Sequence, residues 1–89
     1  MKHVIKHSGS SEAFDPRKVY ASVYASCLSV HETTDEAELV AEKVTKQVNE
    51  WLTPKTEITV VDLRRVIAQK LRVINPHAGF VYQHHRILW

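Results

Sequence analysis

Most of the chain carries apolar residues at a helical period, interrupted by short β-branched or turn-rich stretches. From Pro16 to Val30, Val19, Tyr20, Val23, Tyr24, Cys27 and Leu28 recur at i, i+1, i+4, i+5, i+8 and i+9. They form one broad stripe and predict a first helix. A second stripe, Ala37, Val40, Ala41, Val44, Val48, Trp51 and Leu52, predicts a helix that turns Lys43 and Lys46 to water and stops before Pro54. Leu63, Val66, Ile67 and Leu71 predict a third helix from about Val60 to Arg72. Asn75-Pro76 opens a fourth, with Phe80, Val81, His84, Ile87 and Leu88 as its inner face. Glu57-Ile58-Thr59-Val60 is short and β-branched, which suits a strand.

The segment from His3 to Val19 organises the rest. It predicts two short strands joined at Ser8-Gly9, where glycine accepts the positive φ of a tight hairpin, and then the first helix. Asp15 fits the N-cap and Pro16 the first helical position, where a missing N–H costs nothing. Thr33 and Glu36 form a capping box for the second helix, and Asp35, Glu36 and Glu38 put negative charge at its positive end. Thr59 followed by Asp62 is a variant of the same box. Gly79 inside the fourth helix costs about 1 kcal/mol relative to alanine, so a close packing contact is expected there. The expected fold is α+β: a small two- or three-stranded antiparallel sheet, starting with the N-terminal hairpin, capping a four-helix bundle.

Eighty-nine residues make one small domain, spanning 1–89, that buries roughly 60–70% of its unfolded surface. Composition is 44% hydrophobic and 25% charged, ordinary for a soluble globular chain. Twelve basic against ten acidic residues leave +2, too small a balance to argue for direct nucleic-acid binding. A single cysteine excludes an internal disulfide and fits a reducing compartment. Because Cys27 lies in the apolar stripe with no charged neighbour placed to activate it, a buried structural thiol is expected. No apolar run approaches the ~20 residues of a membrane span and no signal-peptide core is present, so the cytoplasm is the default.

Catalytic patterns are missing: no Ser-His-Asp order, no Gly-Lys-Ser phosphate loop, no paired carboxylates outside helix surfaces and caps. Of the six histidines, no pair has the i, i+4 spacing on one helix that metal sites favour, and His3 and His7 flank the hairpin with a turn intervening, so none is assigned to a metal. What the hairpin does bring together is a strand edge, a helix N-terminus, Lys6 and Lys18. That combination suits an anion, and a nucleotide in particular. From the lysines alone, a solvated hairpin is the more economical reading. Arg64, Arg65, Lys70 and Arg72 lie outside the third helix's apolar stripe and read as a solvated basic surface.

Val4-Ile5-Lys6-His7-Ser8-Gly9, followed by Glu12-Ala13-Phe14-Asp15-Pro16-Arg17-Lys18-Val19, resembles the opening of an ATP-cone domain. That family starts with a Val-x-Lys-Arg-x-Gly hairpin and a Phe-Asp-x-x-Lys-Ile helix start, and the remaining chain follows its outline to the last residue. ATP cones are nucleotide-sensing regulatory modules on ribonucleotide reductase large subunits and on the repressor of their genes. The resemblance implies a non-catalytic domain that binds ATP or dATP, with Mg2+ carried by the nucleotide, and answers by self-association or altered contact with a protein partner. It implies Lys6 and Lys18 as phosphate donors, Arg64 as a further fork-shaped donor, and Glu12 and Asp15 as acceptors for the adenine amino group. Phe14, Val19 and Val4 become apolar walls, and Ile5, His7 and Val60 complete the site.

Three departures stand out: His7 replaces the usual arginine, Ser8 the frequent Asp or Asn, and the last helix ends early, with Arg86 as a substitute donor. The absent reductase barrel and zinc ribbon leave a free-standing cone acting in trans or an excised domain; Met1, two residues before the hairpin, favours the first. Other readings are a cone-like protein-interaction scaffold without nucleotide, or a weak nucleic-acid binder using helix three.

Overall fold

The computed structural model describes residues 1–84, so the expectations for Arg86, Ile87 and Leu88 lie outside the described residues. Elements follow in the order β1 (His3–Ile5), β2 (Ser11–Ala13), α1 (Pro16–Ser29), α2 (Thr34–Leu52), β3 (Glu57–Thr59), α3 (Val60–Ile74) and α4 (Pro76–His84). The α+β class is as expected, but the sheet is mixed. Its order is β2-β1-β3: β1 pairs antiparallel with β2 and parallel with β3. The parallel pair arises because α1 and α2 lie between β1 and β3, a crossover long enough to return the chain in the same direction.

Between β1 and β2 the backbone bonds close a tight turn. Gly9 donates to the Lys6 carbonyl at 2.9 Å and Lys6 to the Ser10 carbonyl at 2.8 Å, leaving His7, Ser8 and Gly9 as the loop. Gly9 has φ +89°, the left-handed residue that such a three-residue hairpin needs. Side chains alternate across a strand, and directly paired residues share a face. Val4 is fully buried and Ile58 nearly so, which defines the inner face, and Val4 pairs with Glu12 and Ile58. Glu12 is therefore on the inner face as well, and Lys6, two residues beyond Val4, follows the same side.

Each helix start uses a local cap. Asp15 Oδ1 accepts from the Arg17 backbone N–H at 2.9 Å, and Thr33 and Glu36 form the full capping box. Thr59 Oγ1 accepts from Asp62 N–H at 3.1 Å, while the Asp62 carboxylate is engaged by Arg65. Asn75 caps α4 through the Ala78 N–H at 3.1 Å and hydrogen-bonds Glu32 with its amide nitrogen. α1 ends with His31 at φ +69°. His31 N–H bonds the Leu28 carbonyl and Glu32 N–H the Cys27 carbonyl, a Schellman closure with histidine where glycine is favoured.

The core joins Val4 and Ile58 to Val19, Val23 and Cys27 of α1, Val44, Val48 and Leu52 of α2, and Leu63, Ile67 and Leu71 of α3. Burial pushes the Cys27 thiol up to about 12, with Glu32 adding to the shift, so the expected inert thiol is what the fold contains. Two expected faces are corrected. On α1, Leu28 is 38% exposed, and Ser22 and Ser26 are buried instead. Ser22 can sit inside because its hydroxyl bonds the Val19 carbonyl at 2.9 Å and meets the Tyr82 hydroxyl at 3.1 Å, tying α1 to α4. On α4, Ala78, Gly79 and Tyr82 face inward, Val81 is half-buried, and Phe80 and His84 are exposed.

The reason is the closeness of α3. A Cβ placed on Gly79 would lie 2.7 Å from the Arg72 Cα and 2.8 Å from its nitrogen. Only small residues fit that seam, so bulky Phe80 turns out and rests on the His84 ring, centroids 4.2 Å apart. The contact expected at Gly79 is thus backbone against helix.

Two stability tests follow. Gly79→Ala gains helix propensity but must force α3 and α4 apart, so a net loss of about 1–3 kcal/mol is expected in chemical denaturation. His31→Gly relieves the left-handed backbone and should stabilise by up to about 1 kcal/mol in the same assay.

Candidate functional site

The inward direction of Glu12 creates an electrostatic demand at the rim of the sheet. Its side chain is about one quarter exposed and meets two ammonium groups from different elements. Lys18, in the first turn of α1, lies 2.9 Å from Oε1; Lys6, just after β1, lies 3.2 Å from Oε2. The hydrogen bond from Lys18, then that from Lys6, lowers the Glu12 carboxyl below its ordinary range. Hairpin and helix are thus clasped by one carboxylate and two cations.

Asp15 sits just beyond, at the N-terminus of α1. Besides capping, its two oxygens accept from Arg17 Nε and Nη2, both at 3.0 Å, and these bonds lower its carboxyl. The Arg17 side chain is 90% exposed, so this pair is readily exchanged for another donor.

Beside the hairpin tip, α3 and α4 enclose a cleft of about 370 Å³ lined by His7, Val61, Arg64, Arg65, Ala68, Arg72, Tyr82 and Gln83. Val61, Arg64, Arg65, Ala68 and Arg72 fall at successive turns of one α3 face, and Tyr82 and Gln83 form the opposite wall. Among the described residues its lining includes three arginines, of which Arg65 is paired with Asp62 at 3.2 Å; this basic lining suits a polyanion, and the size falls within the roughly 300–1,000 Å³ of small-molecule sites. A groove of about 390 Å³ runs along α1 and α2 past Tyr20, Glu42, Lys46 and Glu50. Its mixed charge gives no preference for an anion, so chemistry rather than volume favours the α3–α4 cleft.

The residues expected in the site fall in several separate places. Lys6, Glu12 and Lys18 meet as one cluster, with Phe14 half-buried and Asp15 following it at the start of α1, whereas Ile5, on the opposite face of β1 from Val4, lines another groove with Trp51 and Lys55. His7 and Arg64 meet in the cleft. Val4, Val19 and Val60 are 0–1% exposed and belong to the core, so their side chains support the site from beneath and form no open wall. Arg65, Arg72, Tyr82 and Gln83 were not in the expected set. The two arginines read as solvated surface in the sequence because the cleft that gathers them depends on the α3–α4 approach. Among the described residues, no group of three or more His, Cys, Asp or Glu could hold a metal ion.

Hairpin, capped α1 and basic α3 together match a known pattern along nearly the whole chain. The family model for the ATP cone domain matches residues 2–89. The chain belongs to the ATP-cone family. An ATP cone is a nucleotide-binding regulatory module, of a kind that takes ATP or dATP, rather than a catalytic domain. A search of curated proteins gave no match. No helix among the described residues is long and apolar enough to cross a membrane.

The Glu12 clasp predicts an acid-sensitive increment of stability. Because its carboxyl is lowered in the folded state, the increment is present above the ordinary carboxylate range and lost as pH falls through that range to the lowered value. Water screens both ion pairs, each worth about 0.2–1 kcal/mol. Glu12→Gln should be less stable than the parent at about pH 7, and the difference should shrink as pH falls below the ordinary carboxylate range, as read by urea titration at each pH.

Proposed function

We propose that this cone binds ATP or dATP with its phosphates between the hairpin and α3, and that nucleotide state changes its association with itself or with a protein partner. The regulated system is ribonucleotide reductase or the expression of its genes, and the setting is the cytoplasm. The observation that carries this reading is a pair of basic clusters, one at the hairpin rim and one in the cleft beside the hairpin tip. Lys6 after β1 and Lys18 of α1 form the first, and Arg64, Arg65 and Arg72 of α3 line the second together with the His7 ring. Lys6 and Lys18 pair with phosphate oxygens as compact donors, and Arg64 adds a planar fork. Glu12 and Asp15 accept from the adenine amino group, with Phe14 offering apolar contact. Mg2+ arrives with the triphosphate and reduces its charge.

The same helices that line the cleft also carry unburied apolar side chains: Val73 on α3 is 86% exposed and Phe80 on α4 is 59% exposed. A ligand that draws α3, α4 and the hairpin together acts on the surface that displays them. Nucleotide shifts association only in so far as it binds one assembly better than the other.

The test is titration calorimetry with ATP, dATP and GTP in magnesium, with light scattering on the same samples. Saturable adenine-selective binding with a change in particle mass is the expected result. Lys6→Ala and Lys18→Ala should each weaken triphosphate binding about tenfold or more without unfolding the chain. Silence with all three nucleotides would overturn the reading in favour of an interaction scaffold.

A further inference from the structure

Glu12 occupies the ammonium groups that a phosphate chain would need. Oε1 holds Lys18 at 2.9 Å and Oε2 holds Lys6 at 3.2 Å, so each carboxylate oxygen has its own lysine. Carboxylate and phosphate oxygens compete for the same N–H donors, and a carboxylate deprived of them is left beside like charge. Nor can the strand carry Glu12 away. Its pairing partner Val4 is fully buried, and a one-residue slip of β2 would turn its side chains to the opposite face.

We propose that Glu12 is an internal competitor that makes this site demand a base as well as a phosphate chain. Resting on the nucleotide reading above, it assigns Glu12 a second role: exclusion of bare polyphosphate. A ligand gains Lys6 and Lys18 only if it gives the displaced carboxylate a new hydrogen-bond donor. An adenine amino group is such a donor. Inorganic tripolyphosphate has the charge but, fully ionised, no comparable donor, so it must leave Glu12 unpaired next to its own oxygens. Discrimination then comes from a built-in repulsion as much as from attraction for the base.

The test uses tripolyphosphate and ATP, each titrated without added metal into the whole chain by calorimetry. The parent is compared with Glu12→Gln and with Glu57→Gln, which removes the same charge from β3. Circular dichroism checks that each variant is folded. For Glu12→Gln, tripolyphosphate affinity should rise about tenfold or more, while Glu57→Gln stays near the parent, and the parent's preference for ATP over tripolyphosphate should shrink. Unchanged or weaker tripolyphosphate binding by Glu12→Gln would overturn the proposal, as would an equal rise in Glu57→Gln. The ATP arm separates the two readings. A parent silent to ATP, with Glu12→Gln gaining tripolyphosphate, would overturn nucleotide binding and leave the competition for the lysines standing.

Discussion

Burial of Val4 is the constraint on which the rest of the arrangement depends. It is the central inward side chain of the central strand, paired with Glu12 on one side and Ile58 on the other. Fixing Val4 in the core fixes the register of all three short strands, because a period of two leaves no intermediate choice of face. The consequence is a carboxylate on the inner face of a sheet whose remaining inward residues are apolar. Lys6 and Lys18 answer that charge, and in doing so they join the hairpin to α1. A packing requirement thus becomes the charged cluster at the rim.

The second organising contact is the seam between α3 and α4. Gly79 lets α4 lie against the Arg72 backbone, and Ser22 meeting Tyr82 holds α4 to α1. With the helices so close, one face of α3 and the Tyr82–Gln83 side of α4 become opposite walls of a cleft. The arginines on that face are then concentrated around a concavity. The outward face of α4 carries Phe80 while its other side bounds the cleft, so the proposed coupling between ligand and association runs through this one helix.

Much of this was legible in the sequence where local chemistry decides. Asp15-Pro16, Thr33 with Glu36, Thr59 and Asn75 each mark a helix start, and Gly9 marks the turn, because caps and positive-φ turns are set by a few neighbouring residues. The buried stripes of α2 and α3 also followed their period. Tertiary approach decided the rest. The parallel pairing of β3 depends on a crossover of two helices. The inner face of α4 depends on how near α3 comes, which turned Phe80 outward against expectation. Lys6, Glu12 and Lys18 each stood out in the sequence, but their mutual pairing required the sheet register. Arg65 and Arg72 looked solvated because a helix stripe shows which residues avoid the core and not which of them later share a cleft.

The central claim is that a nucleotide's phosphates lie between the inner rim of the hairpin and α3. Amide-resolved NMR of the chain titrated with magnesium ATP tests it most directly. The account predicts shifts at Lys6, His7, Glu12, Lys18 and Arg64 that saturate together with one affinity. Saturating shifts confined to the mixed-charge groove around Tyr20, Lys46 and Glu50, with the hairpin unmoved, would contradict it.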